Sequence, residues 1–151
     1  MINQINRRTL LVSGIALLTA APAFAATGPI YTSWGTEASG YDVVAYFTES
    51  RPVKGSRSYT AEHQGATWRF ASASNRDLFV SNPDQYTPKY GGFCAYAVAN
   101  GALDVSTVPE AWKIVDGKLY LNYSRGIQSR WESNMAGYIA DADRNWSRVY
   151  G

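Results

Sequence analysis

Strand-forming runs rich in aromatic and β-branched residues occur over Ser58–His63 with Thr67–Phe70, where polar and apolar positions alternate, and over Trp112–Val115 with Leu119–Tyr123. A period of two marks strands with one buried face. Each pair is joined through a polar residue and a glycine, Gln64-Gly65 and Asp116-Gly117, as a tight primed turn requires, so each reads as an antiparallel hairpin. After each hairpin the spacing becomes helical. Ser74 with Asp77 three residues on predicts a capped helix whose apolar side carries Leu78 and Phe79, and Pro83 restarts a second short helix after Asn82. Ser124 predicts the cap of a helix bearing Ile127, Arg130 and Trp131, and a last helix runs over 136–146. Residues 26–39 show no period and read as a flexible arm. The fold class expected is α+β: two small antiparallel hairpins, separate or joined in one sheet, among five to six short helices.

The two halves are related at a constant offset of 52 residues. Gly40 falls on Gly92, Ala45 on Ala97, Val53 on Val105 and Gly65 on Gly117. Ser72 falls on Ser124, Ser81 on Ser133, Asn82 on Asn134 and Tyr86 on Tyr138. Aromatic positions correspond as well, Tyr41 with Phe93, Trp68 with Tyr120 and Phe79 with Trp131. This register predicts a tandem duplication of one unit, built of a short helix, a hairpin and two short helices.

Residues 1–25 read as an address. Arg7 and Arg8 precede an apolar run from Leu10 to Leu18, and Ala23-Phe24-Ala25 offers the small-x-small pattern of a cleavage site. The run is too short to span a bilayer, and the paired arginines are similar to a twin-arginine signal. The expectation is a soluble periplasmic protein with no stable membrane insertion, exported by either the general secretory or the twin-arginine route. Removing those two arginines from fourteen basic residues leaves twelve against twelve acidic. With no basic stripe, nothing draws a phosphate backbone, and nucleic acid is set aside as a partner. The remaining chain is of single-domain size, 40–151 forming the domain proper, and it holds all five Trp and all eleven Tyr.

Cys94 is the only thiol and follows Gly91-Gly92-Phe93 at the expected start of a helix. Unpaired N–H groups there favour a thiolate, the form that binds metals or attacks electrophiles. A buried, inert cysteine is the competing reading. The duplication sets Asp42 at the position equivalent to Cys94. If the units pack about a pseudo-twofold axis, carboxylate and thiol face each other across a shared cleft; otherwise Asp42 is a helix cap. Tyr41, Tyr46, Tyr90 and Tyr96 are the rings expected to line such a cleft. Metal ligation draws on Cys94, His63 and Asp42, with Met135 the one further soft donor. The chain has no second Cys, no His-x-x-x-His pair, no phosphate loop and no nucleophile elbow, so no catalytic residue is assigned.

Gly65-Ala66-Thr67-Trp68-Arg69-Phe70-Ala71-Ser72, continuing through Leu78-Phe79 to Asn82-Pro83-Asp84-Gln85-Tyr86, resembles the core of the YHS domain. Asp42-Val43-Val44-Ala45 resembles its opening Asp-Pro-Val-Cys. The span from Gly40 to Tyr123 is similar to exported, standalone bacterial YHS-domain proteins. The resemblance implies an α+β fold and heavy-metal association. Ala45, Ala71 and Asn75 stand where that family's thiols would be, so a closed tetrahedral zinc site has too few ligands. Two functions remain open: a binding module for a metal ion, copper favoured, or for a small ligand near Cys94; and a redox sensor or enzyme using Cys94 as a thiolate.

Overall fold

The computed structural model describes residues 28–33 and 36–151; the expected signal peptide lies outside them. Two strands of two residues, β1 (Thr32–Ser33) and β2 (Thr36–Glu37), pair antiparallel and lead into a single helical turn over Ala38–Gly40. The first unit follows: α1 (Ala45–Thr48), the hairpin β3 (Ser56–His63) and β4 (Ala66–Phe70), then α2 (Ala73–Ser81) and α3 (Pro83–Tyr86). A second turn over Lys89–Gly92 opens the second unit: α4 (Ala95–Ala99), the hairpin β5 (Trp112–Val115) and β6 (Lys118–Leu121), then α5 (Arg125–Glu132) and α6 (Met135–Tyr150). The fold is α+β, and the hairpins form separate two-stranded sheets.

The 52-residue register holds in backbone detail. Both hairpins turn through two left-handed residues, Gln64 (φ 53°) and Gly65 (φ 74°), then Asp116 (φ 49°) and Gly117 (φ 72°). That pair of positive φ values defines the primed turn the hairpin twist needs. Ser72 Oγ accepts from Asn75 N–H at 3.1 Å, and Ser124 Oγ accepts from Ile127 N–H at 3.1 Å. The expected cap Ser74 is inside α2; Ser72 is the cap because its extended backbone (φ −150°, ψ 161°) aims the hydroxyl at the third helical N–H. Asn82 and Asn134 share a second hinge conformation, φ −153°, ψ 71° and φ −148°, ψ 55°. From there the copies diverge, four residues in α3 against sixteen in α6.

Two cores result. Val43, Val44, Tyr46, Trp68, Phe70 and Phe79 form the first with Leu119 and Leu121. Tyr90, Ala95, Val98, Tyr120, Trp131 and Ala142 form the second. Strand β6 is therefore a shared wall: Leu119 and Leu121 point into the first core, and Tyr120 between them points into the second, as the period of two demands. The counterparts of the two leucines in β4 are Thr67 and Arg69, which enter neither core. The two hairpins are therefore used unequally: β4 serves the first core alone, and β6 serves both.

The N-terminal residues, expected as an arm without periodic structure, carry local pairing. Besides the β1–β2 pair, Tyr31 N–H donates to Gly91 O at 2.8 Å. Strands of two residues are too short to show any period. Among the described residues no helix is long and apolar enough to cross a membrane.

Candidate functional site

Asp42 is fully buried, and four donors hold its carboxylate. Val44 and Ala45 N–H donate to Oδ1 at 2.9 and 3.2 Å, while Ala71 N–H and the Asn75 amide donate to Oδ2 at 2.8 and 2.7 Å. Its own N–H donates to Val53 O at 2.8 Å. A buried charge so saturated is a cap that ties the start of α1 to the end of β4 and to α2.

Adding 52 to each of these positions gives Cys94, Tyr96, Ala97, Val105, Tyr123 and Ile127. Those six residues line a cavity of about 190 Å³. The equivalence extends to the hydrogen bonds: Cys94 N–H donates to Val105 O at 3.0 Å, and Tyr123 N–H donates to Cys94 Sγ at 3.3 Å, as Ala71 N–H does to Asp42. The Tyr96 N–H, counterpart of Val44, has no carboxylate to meet and donates instead to Asn122 Oδ1 at 3.1 Å. The Cys94 S–H donates to the same oxygen at 3.6 Å. One bond given and one received is the pattern of a thiol. A sulfur with no oxygens has thus replaced the carboxylate. The apolar Ile127 has replaced the Asn75 amide, so the polar contacts that close the first copy are missing from the second.

The shared cleft is therefore corrected. Asp42 is bound wholly by first-unit groups and Cys94 by second-unit groups, and the second-unit residues that join the first core are Leu119 and Leu121 of strand β6. His63 ends β3 with its ring edge-on to Phe79 at 5.6 Å and its Nε2 beside the Gln64 amide at 3.1 Å. Met135 packs on the second core. Among the described residues no three His, Cys, Asp or Glu side chains converge, so Cys94, His63 and Asp42 are not one metal site.

The tyrosines separate likewise. Tyr96 lines the Cys94 cavity and stacks edge-on with Tyr138 at 5.1 Å. Tyr46 is a core residue, its hydroxyl donating to Pro109 O at 3.0 Å, and burial raises its pKa. Tyr41 bridges Lys54 through its backbone. Tyr90 borders a second cavity at the seam between the units. Asn122, fully buried, is the site residue that pattern reading missed: it directly follows β6 at the position where the first copy has Phe70, and the exchange of an apolar for an amide side chain was its only signal. Neither a family model, nor a curated protein, nor a solved structure matches this chain.

Proposed function

We propose that this chain is an exported binding module whose second unit takes a small apolar ligand in the cavity beside Cys94. The observation that carries the reading is the residue-by-residue equivalence of this cavity to the closed Asp42 cap. Two copies of one unit share a backbone frame, and in one of them the carboxylate and amide that tie it shut are replaced by a sulfur and an aliphatic chain. The pocket is open to solvent on one side and its lining is apolar and aromatic around the sulfur, so its volume of about 190 Å³ suits a small ligand with an apolar face. Tyr123, 54 % exposed, forms a wall that can move aside without unpacking a core.

The resemblance to YHS-domain proteins favours a metal. Its thiol positions 45, 71 and 75 correspond to Ala97, Tyr123 and Ile127, which supply a methyl, a phenol and an aliphatic chain around one sulfur. Those residues do not fit a resident transition-metal ion. The redox alternative has less support, since Cys94 is only 1 % exposed; it requires the wall of the pocket to move before hydrogen peroxide could convert the S–H to S–OH with release of water, sulfur losing two electrons.

Titration with phenol and indole, followed by the amide signals of Tyr96, Ala97 and Ile127, tests the proposal. Saturable shifts confined to these residues and abolished by Ala97→Leu are expected. Absence of binding, with stoichiometric copper(I) uptake that Cys94→Ser removes, would replace the small ligand by the metal.

A further inference from the structure

Asn100-Gly101 is the only Asn-Gly pair in the chain, and both residues are exposed. They close α4. Gly101 (φ 88°) is left-handed and its N–H donates to Val98 O at 3.0 Å, while Ala102 N–H donates to Ala97 O at 2.9 Å. These two bonds make a Schellman ending, in which glycine supplies the turn. The Asn100 side chain is drawn back along the helix, its Nδ2 donating to Tyr96 O at 2.8 Å. A residue of α6 fastens the same turn: Asn145 Nδ2 donates to Val98 O at 2.9 Å and to Ala99 O at 3.0 Å.

Asparagine is a chemically labile side chain, and a glycine after it leaves the next backbone nitrogen free of any Cβ that would obstruct attack on the amide. A Cβ built at Gly101 meets nothing within 4 Å, so the surroundings do not obstruct it either. Both reacting groups are engaged while the turn is closed, the nitrogen by Val98 O and the amide by Tyr96 O. Attack therefore waits on the opening of one turn at the end of a five-residue helix, an event that costs far less than unfolding either core.

We propose that Asn100 is a site of spontaneous deamidation, gated by the last turn of α4 and by the Asn145 side chain that holds it. Gly101 N bonds to Asn100 Cγ, the Cγ–Nδ2 bond breaks, and the proton of the attacking nitrogen leaves with ammonia. Water then opens the resulting succinimide at either carbonyl to give aspartate or isoaspartate, so one water is consumed, one ammonia is released and no electron is transferred. The turn does not close again as before. An aspartate offers Tyr96 O no donor and sets a negative charge beside the last carbonyls of the helix, which repel it. An isoaspartate lengthens the backbone and takes Gly101 and Ala102 away from their acceptors. Because α4 also supplies Tyr96 and Ala97 to the cavity beside Cys94, the product loosens one wall of that cavity. The deamidation itself does not depend on a ligand there.

The test holds the folded chain warm in mildly alkaline buffer beside a sample unfolded in urea. The tryptic peptide Tyr90–Lys113, whose one asparagine is Asn100, is then weighed and assayed for isoaspartate. A gain of about 1 Da is expected in the folded chain, earlier than at any other asparagine and about tenfold slower than in urea. Asn145→Ala should speed it by about tenfold with unchanged circular dichroism, and Asn100→Gln should nearly abolish it. No conversion of the folded chain while the unfolded sample converts, conversion of both at one rate, earlier conversion at another asparagine, or a rate indifferent to Asn145→Ala would overturn the proposal.

Discussion

The chemistry of the molecule turns on what stands at two equivalent positions. Asp42 satisfies three backbone N–H groups and one amide in a fully buried place. Asp42→Ala strands them all, and a loss of about 3 kcal/mol or more is expected in urea unfolding. At the second position the sulfur needs help: Asn122 Oδ1 takes the N–H the carboxylate would have taken. Asn122→Ala should cost about 1–3 kcal/mol by the same measurement. The roles of Cys94 and Asp42 as equivalents were readable from the offset alone. Asn122 was not, because its amide has meaning only once the thiol is seen to lack an acceptor for Tyr96. Tyrosine burial sets the alkaline limit. Desolvation, then Asp143, pushes Tyr120 up to about 12, and raises Tyr90 as well. The folded state keeps these protons while the unfolded chain loses them near pH 10, so stability is whole below that pH and falls as pH rises toward 12. Unfolding curves at pH 9 and 11.5 should show the fall, and Tyr90→Phe should lessen it.

At the scale of elements, turns and caps carried the most information. Polar-glycine pairs located both hairpins because only a few residues tolerate two left-handed conformations in succession. Helix starts were less legible: Ser74 reads as the cap of α2, whereas Ser72 holds that place, because the start depends on where β4 ends. Ser72→Ala and Ser124→Ala should each cost about 1 kcal/mol, and the double variant about twice that, since they cap different helices. The β1–β2 pair escaped the sequence altogether.

For the whole molecule, duplication was legible and the assembly of its halves was not. Leu119 and Leu121 lie two residues apart like any one-faced strand, and nothing in that spacing says that their face belongs to the other unit. The difference between these leucines and their counterparts Thr67 and Arg69 held the answer. Because β6 walls both cores, the units should unfold together; coincident fluorescence and circular dichroism transitions would show it. Leu119→Ala, at a fully buried position, should cost about 2–5 kcal/mol while keeping one transition.

Xenon derivatisation of a crystal tests most directly whether the second copy of the cap has become a binding cavity, because the first copy supplies an internal control. The account predicts xenon bounded by Tyr96, Ala97, Val105, Tyr123 and Ile127, against Cys94 Sγ, and none beside Asp42. Xenon absent from Cys94, or present equally at both positions, would contradict it.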